Sequence, residues 1–151
     1  MNITKRIVAI LIATAALIAS LTSCYTLGGG GTVTVVVAGD TITEYDVYLE
    51  RVEGNEGLIS VLDYLKENKG LSYSSNDAGY GAYLTEVGEV KQDPSAGKYV
   101  YIYTNVEADF DVSQYASTVE YKGETLTSAG VGASSMRIED GAVIYITYII
   151  Y

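Results

Sequence analysis

The sequence predicts a β-rich α+β domain, with one helix laid on mostly antiparallel sheet, and three observations carry that prediction. From Thr32 onward, apolar and polar residues alternate mostly with period two, the pattern of half-buried strands. Short runs rich in Val, Ile, Thr and Tyr are separated by Gly, Asp, Asn and Pro clusters, which supply turns. One segment alone, residues 60–70 (SVLDYLKENKG), combines helical spacing with start and stop signals. A single helix among roughly seven to nine strands places the chain in the α+β class.

Taken in order, residues 32–37 (TVTVVV) and 45–52 (YDVYLERV) read as two strands joined through the turn residues of Ala38-Gly39-Asp40, a hairpin. Gly54 and Gly57 break the pattern. In the helix that follows, Ser60 is a candidate N-cap, with Asp63 three residues on. Val61, Leu62 and Leu65 share a face, and Gly70 is a candidate C′ stop. So short a helix needs a sheet to pack on. Residues 76–81 read as loop, 83–87 (YLTEV) as a strand, and 93–97 (DPSAG) as a turn. Residues 98–105 form a tyrosine-rich strand, followed by a polar, acidic connection. Residues 118–121 and 124–127 read as a small hairpin about Lys122-Gly123, and 128–132 as loop. Residues 135–138, a turn at Asp140-Gly141 and a last strand within 142–151 finish the chain.

Residues 1–23 have the layout of a signal peptide. Lys5 and Arg6 precede an apolar run of about fifteen residues, shorter than the roughly twenty needed to span a bilayer. The run ends at residues 21–24 (LTSC), which resembles the lipobox of bacterial lipoproteins. That resemblance implies a diacylglyceryl group on Cys24 and cleavage just before it. Cys24 is the one cysteine, so no internal disulfide is possible. Residues 24–31 then read as a lipidated, glycine-rich tether, and 32–151 as the domain. The expected location is extracytoplasmic, anchored to a bacterial cell membrane by lipid.

Once Lys5 and Arg6 leave with the leader, seven basic residues face nineteen acidic ones, a net charge of −12. Nucleic acid is an unsuitable partner for such a surface, since phosphate binding needs Lys and Arg clusters. Enzymatic catalysis is not expected either. The chain has no histidine, the commonest general base, and its cysteine is committed to lipid. No cofactor is expected. Residues 107–111 (EADFD) lack the glycine and distal glutamate of a calcium loop and read as a solvated acidic loop.

Fifteen tyrosines, one phenylalanine and no tryptophan make up the aromatic set. In residues 99–105 (YVYIYTN), Tyr99, Tyr101 and Tyr103 alternate with Val100 and Ile102. If Val100 and Ile102 join Ile144 and Ile146 in the core, Tyr99, Tyr101, Tyr103 and Tyr145 face outward together. Tyrosine is a rigid contact residue and also a good strand former. The row is therefore either a ligand or partner surface, or a solvated strand face.

Four stretches occur in an order that resembles the transcobalamin-like C-terminal domains, bacterial surface domains similar to the β-domain of cobalamin carriers. Residues 60–65 (SVLDYL) resemble the family's helix start, and 81–88 (GAYLTEVG) its G-x-Y-V-x-x-I-x-G strand. Residues 99–105 resemble its aromatic strand ending in V-N-G. Residues 132–134 (GAS) and 138–146 (IEDGAVIYI) resemble its ending. The sequence departs from the pattern in having no tryptophan, Val106 after Asn105, and Ala142 where the turn carries a second acid. The resemblance implies a β-grasp-like fold and a corrinoid such as cobalamin as a bound ligand. In the carriers that ligand lies between the β-domain and a helical domain with no counterpart here, so a corrinoid would meet half a site or need a partner. Two functions are expected as alternatives: a tethered, non-enzymatic binding module for a corrinoid-like ligand, or a structural or adhesive envelope protein that binds another protein.

Overall fold

A computed structural model describes residues 30–77 and 79–151. Strands β1 (Thr32–Ala38) and β2 (Ile42–Tyr48) form a hairpin, paired antiparallel from Thr32↔Tyr48 to Ala38↔Ile42. Strand β2 begins three residues earlier than the sequence suggests and stops at Tyr48, where Leu49–Arg51 form a 3-10 turn. Helix α1 (Gly57–Lys69) follows, then strands β3 (Tyr73–Asp77), β4 (Ala82–Val87) and β5 (Val90–Lys91). Strand β6 (Lys98–Thr104), the hairpin of β7 (Thr118–Tyr121) and β8 (Glu124–Ser128), and β9 (Val143–Ile150) complete the chain.

Six strands form one sheet in the order β2-β1-β9-β6-β8-β7, and β3-β4-β5 form a second, antiparallel one. In the large sheet β9 enters beside β1 in parallel, Val35 opposite Ile144, while the other pairs run antiparallel. A hairpin, a crossing helix and a returning parallel strand at the centre make the β-grasp arrangement. The fold is therefore β-rich α+β.

The main core lies between α1 and one face of the large sheet. Val33, Val35, Val37, Val100, Ile144 and Ile146 meet Leu58, Val61, Leu62 and Leu65 of the helix. Each such leucine contributes about 1.5–3 kcal/mol by leaving water.

Helix α1 starts three residues before Ser60. Its N-cap is Glu56, whose side chain makes no capping bond, and Ser60 lies buried inside the helix. Ser60 Oγ still serves the first turn by accepting the Glu56 N–H at 3.0 Å. Tertiary contact overrides the local cap signal here, because Leu58 and Ile59 are buried and the helix gains by including them. A Cβ on Gly57 would lie 2.6 Å from the Met136 carbonyl oxygen, so the helix sits directly on the 133–136 turn. The helix ends as expected, with Gly70 left-handed and its N–H donating to Leu65 O.

Residues 76–81 are not all loop, since Asn76 and Asp77 belong to β3. Four of the five β3 residues are exposed and polar, so the strand carries no period-two signal. Gly31, placed with the tether by the sequence, is held by the domain: its carbonyl accepts the Leu49 N–H at 2.9 Å. Residues 133–138 begin with a single 3-10 turn (Ala133–Ser135), after which Met136 and Ile138 point into the core. The leader (1–23), Cys24 and the tether up to residue 29 lie outside the described residues.

Candidate functional site

Tyr99, Tyr101, Tyr103 and Tyr145 share the sheet face opposite the helix, and Tyr103 stands directly across from Tyr145. They do not form one exposed patch. Tyr103 is only 6% exposed, and its hydroxyl lies 3.2 Å from Ser117 Oγ. Its ring contacts Tyr101 at 5.4 Å and Tyr145 at 6.5 Å between centroids, and Tyr145 contacts Tyr121 at 5.6 Å. Tyr99 instead meets Tyr151, at 6.0 Å.

The cause is the β7–β8 hairpin, which folds across this face. Val36, Leu126 and Ser128 are fully buried on it, so the tyrosine row is largely the wall of a second, smaller core. Both sequence readings of the row, solvated face and open patch, give way to this arrangement for Tyr103. Tyr99, Tyr101 and Tyr145 remain half-buried.

The open surface lies at the other end of β6. Strand β8 pairs with β6 only at Tyr103 and Thr104, and Asp93 bridges Lys98. Between these points Val100 has β9 on one side and, among the described residues, no strand on the other. A cleft of about 370 Å³ opens there, within the usual range for small-molecule sites. Its floor is Val100 and Ile102, with Tyr101 at the rim. Tyr83 and Leu84 of β4 form the facing wall, and the 129–133 turn closes one end. Tyr80 at the mouth is 91% exposed.

Two of the family-like motifs build this cleft by touching. A Cβ on Gly132 would lie 2.8 Å from the Tyr80 carbonyl oxygen and 2.9 Å from Gly81. The Ala82 N–H donates to Ser134 Oγ at 2.8 Å, locking β4 to the turn. Sequence reasoning named both motifs but missed Tyr80, Tyr83 and Asp111 as lining residues. Tyr83 opens the YLTEV strand within the GAYLTEVG stretch, the one local signal for them.

Among the described residues Asp111 is the one carboxylate lining the cleft, and its Oδ1 accepts the Ser113 N–H at 2.8 Å. Asp109 departs from the solvated loop expected of residues 107–111. It is 2% exposed, and its Oδ2 accepts the Arg137 N–H at 2.7 Å. Burial pushes its carboxyl above the usual range, and the Arg137 bond only partly offsets this. Burial likewise raises the Tyr101 phenol, aided by neighbouring Tyr151, Tyr103 and Asp111. Tyr83 is raised by burial and by Tyr99 and Tyr151. Both phenols therefore stay protonated at neutral pH, each able to donate and accept. What the cleft offers a ligand is apolar contact, phenolic hydroxyls, main chain and one negative charge.

No family model and no curated protein matches the sequence. Among solved structures, haptocorrin in complex with Cbi is similar at a TM-score of 0.57 and 15% identity, covering 82% of this chain and 26% of the haptocorrin chain. This chain thus spans about a quarter of that protein's length. A protein of Ruminococcus gnavus ATCC 29149, provisionally described as metal binding, aligns over 82% of this chain and 99% of its own at 18% identity and a TM-score of 0.48. The likeness to haptocorrin establishes a related fold.

Proposed function

We propose that this protein is a non-catalytic binding module held at the outer face of a bacterial membrane by lipid on Cys24, with the β6 cleft as its binding site. The carrying observation is the cleft itself: an apolar floor of Val100 and Ile102 between the phenols of Tyr83 and Tyr101, with one carboxylate at Asp111. Aromatic walls with a few polar groups are the usual make-up of a ligand site. A corrinoid-like ligand is the finer reading. Its support is the fold shared with a protein that binds a corrinoid, together with the order of the four family-like stretches. A cleft of this size holds one edge of such a ligand and leaves the rest to a partner.

Titration of the protein with dicyanocobinamide and with cyanocobalamin, followed by tyrosine fluorescence, tests the corrinoid. Binding weakened by Tyr83→Ala supports it, and an unchanged signal at saturating ligand removes it. The tether has a separate test. Cys24→Ser is expected to release the protein from membranes or leave it unprocessed; normal processing with normal membrane retention contradicts lipidation.

The alternative, an envelope protein that binds another protein, is favoured by one observation. Tyr80, Val112, Tyr115, Val131 and Tyr151 are exposed on the cleft or the segments next to it. Exposed apolar groups gathered in one region mark interaction sites.

A further inference from the structure

The cleft is bounded by main chain as much as by side chains. Tyr151 N–H donates to Gly97 O at 3.0 Å, so the odd-numbered residues of the β6 segment turn their main-chain groups toward β9. The even-numbered residues Lys98, Val100 and Ile102 turn theirs the other way. Lys98 exchanges two bonds with Asp93, at 2.9 and 2.8 Å, and Ile102 O accepts the Ala129 N–H at 2.9 Å. Between them lie the Val100 N–H, the Val100 carbonyl and the Ile102 N–H, which face the cleft with no strand opposite among the described residues.

The facing wall has the same character. The Ala82 N–H donates to Ser134 Oγ, so Ala82, and by alternation Leu84, turn main chain away from β3, the register with β3 shifting only beyond them at Thr85. Strand β5 covers that side of β4 only at Glu86 and Val87. Leu84, which also lines the cleft, thus turns its main chain to a side of β4 that no strand covers among the described residues. Gly81, Ala82, Ala129 and Gly130 add walls with little side chain to obstruct an incoming backbone.

Resting on the reading of this cleft as the binding site, we infer that its occupant is an extended peptide segment of a partner protein, added as a short strand along Val100 and Ile102. An unpaired strand edge is a template for another chain, and main-chain bonds then supply binding while alternate side chains supply selectivity. About three residues of guest, roughly 10 Å, fit beside this gap. The alternation of β6 sets their chemistry. Side chains on the helix side meet Val100, Ile102 and Leu84, so they are apolar, and those on the other side meet Tyr101 and Tyr83. Among the lining residues the charge is negative, at Asp111, with no Lys or Arg to oppose it. A basic residue in the guest complements it, as it does the net charge of −12 that follows loss of the leader.

Amide-resolved NMR on the labelled domain, with the capped peptide Ac-Val-Lys-Val-Thr-Val-NH2 as probe, tests this. Binding is expected to shift the Val100 and Ile102 amides and slow their hydrogen exchange about tenfold or more. A backbone N-methylated analogue is expected to bind at least about tenfold more weakly, because it cannot donate. Asp111→Asn keeps the acceptor for Ser113 N–H and is expected to weaken the probe about three- to fivefold. Unmoved Val100 and Ile102 amides at millimolar peptide, equal binding of the methylated analogue, or protection at β2 instead would each overturn the inference. Cobinamide serves as the second arm. Cobinamide bound at Tyr83 and Tyr101 without any response to peptide keeps the cleft as the site and ends the peptide inference. Peptide bound without cobinamide keeps the inference and ends the corrinoid reading; silence from both ends both.

Discussion

Glu44 on β2 and Lys122 in the β7–β8 turn lie 78 residues apart in sequence and 2.6 Å apart in space. Strands β2 and β7 are the two outer strands of the six-stranded sheet, so this ion pair joins its opposite edges. The row it spans runs from Glu44 through Val36 and Tyr145 to Tyr103 and Ser128. The sheet therefore curls over its tyrosines instead of presenting them.

The pair's pH window follows from its two shifts. Lys122 holds the Glu44 carboxyl below its ordinary value of 4.5, so that contribution is present above 4.5 and lost as pH falls through the lowered value. Glu44 holds the Lys122 ammonium above 10.5, so that contribution is present below 10.5 and lost as pH rises through the raised value. Lys122→Gln is expected to lower the unfolding midpoint slightly at neutral pH. The deficit should shrink at both pH extremes and in about 1 M salt, where the Debye length falls to about 3 Å. Thermal unfolding of both proteins across pH and salt checks this; a deficit indifferent to salt contradicts a charge origin.

The second core should behave as a core. Leu126 is fully buried on the tyrosine face, so Leu126→Ala is expected to cost about 2–4 kcal/mol, the range for a leucine that leaves a cavity. Tyr103→Phe removes one hydrogen bond, to Ser117, and should cost about 0.5–1.5 kcal/mol. Urea denaturation measures both. A Leu126→Ala loss below about 0.5 kcal/mol, the range for open surface sites, would mean the hairpin does not cover the row.

Alternation made much of this legible in advance. Because successive side chains in a strand point to opposite faces, Val100 and Ile102 could be assigned inward and the tyrosines outward from spacing alone. What covers the outward face is a different kind of information. It depends on Glu44 meeting Lys122 and on Leu126 meeting the row, contacts between distant segments with no local pattern to announce them. Strand β3 was hidden for a related reason, since it is held by pairing with β4 while its own residues are polar. The helix start was misplaced because Ser60 looks like a cap, whereas burial of Leu58 and Ile59 decides the boundary. The cleft was partly legible: the GAYLTEVG and GAS stretches were singled out, but their mutual contact through Gly81 and Gly132 is purely tertiary.

That contact gives a prediction about steric room. Gly132 has φ −69°, which any residue adopts, so a side chain there is opposed only by its neighbours. Those neighbours are backbone atoms of Tyr80 and Gly81, 2.8–2.9 Å from where an alanine methyl would stand, and backbone moves reluctantly. Gly132→Ala is expected to cost about 1–3 kcal/mol, as overpacking does, and to shift the amides of residues 80–83. Gly141→Ala makes a useful contrast, because open space surrounds that site and its penalty arises from φ +79° alone. Amide chemical shifts separate the two: undisturbed residues 80–83 in Gly132→Ala would mean that the turn and β4 are not in contact.

Asp109 supplies the last prediction, because it braces the cleft from behind. Its carbonyl accepts the Gly130 N–H at 2.8 Å while its carboxylate accepts the Arg137 N–H at 2.7 Å. Burial raises its pKa above the ordinary 3.8, so in the window just above 3.8 the folded protein binds more protons than the unfolded chain. Stability from this group is therefore fully present below 3.8 and declines as pH rises through the raised value, then levels off. Asp109→Asn keeps an oxygen to accept the Arg137 N–H and removes the titration. The variant is expected to lose this downward component between about pH 4 and neutrality, and to be at least as stable as the parent at neutral pH. Asp109→Ala deletes the acceptor and leaves the Arg137 N–H unpaired, so it should be destabilised at every pH by about 1–3 kcal/mol. Unfolding free energies of the three proteins between about pH 4 and 8 decide the matter. Equal behaviour of the Asn and Ala variants would show that the carboxyl's charge, and not its hydrogen bond, is what the fold notices.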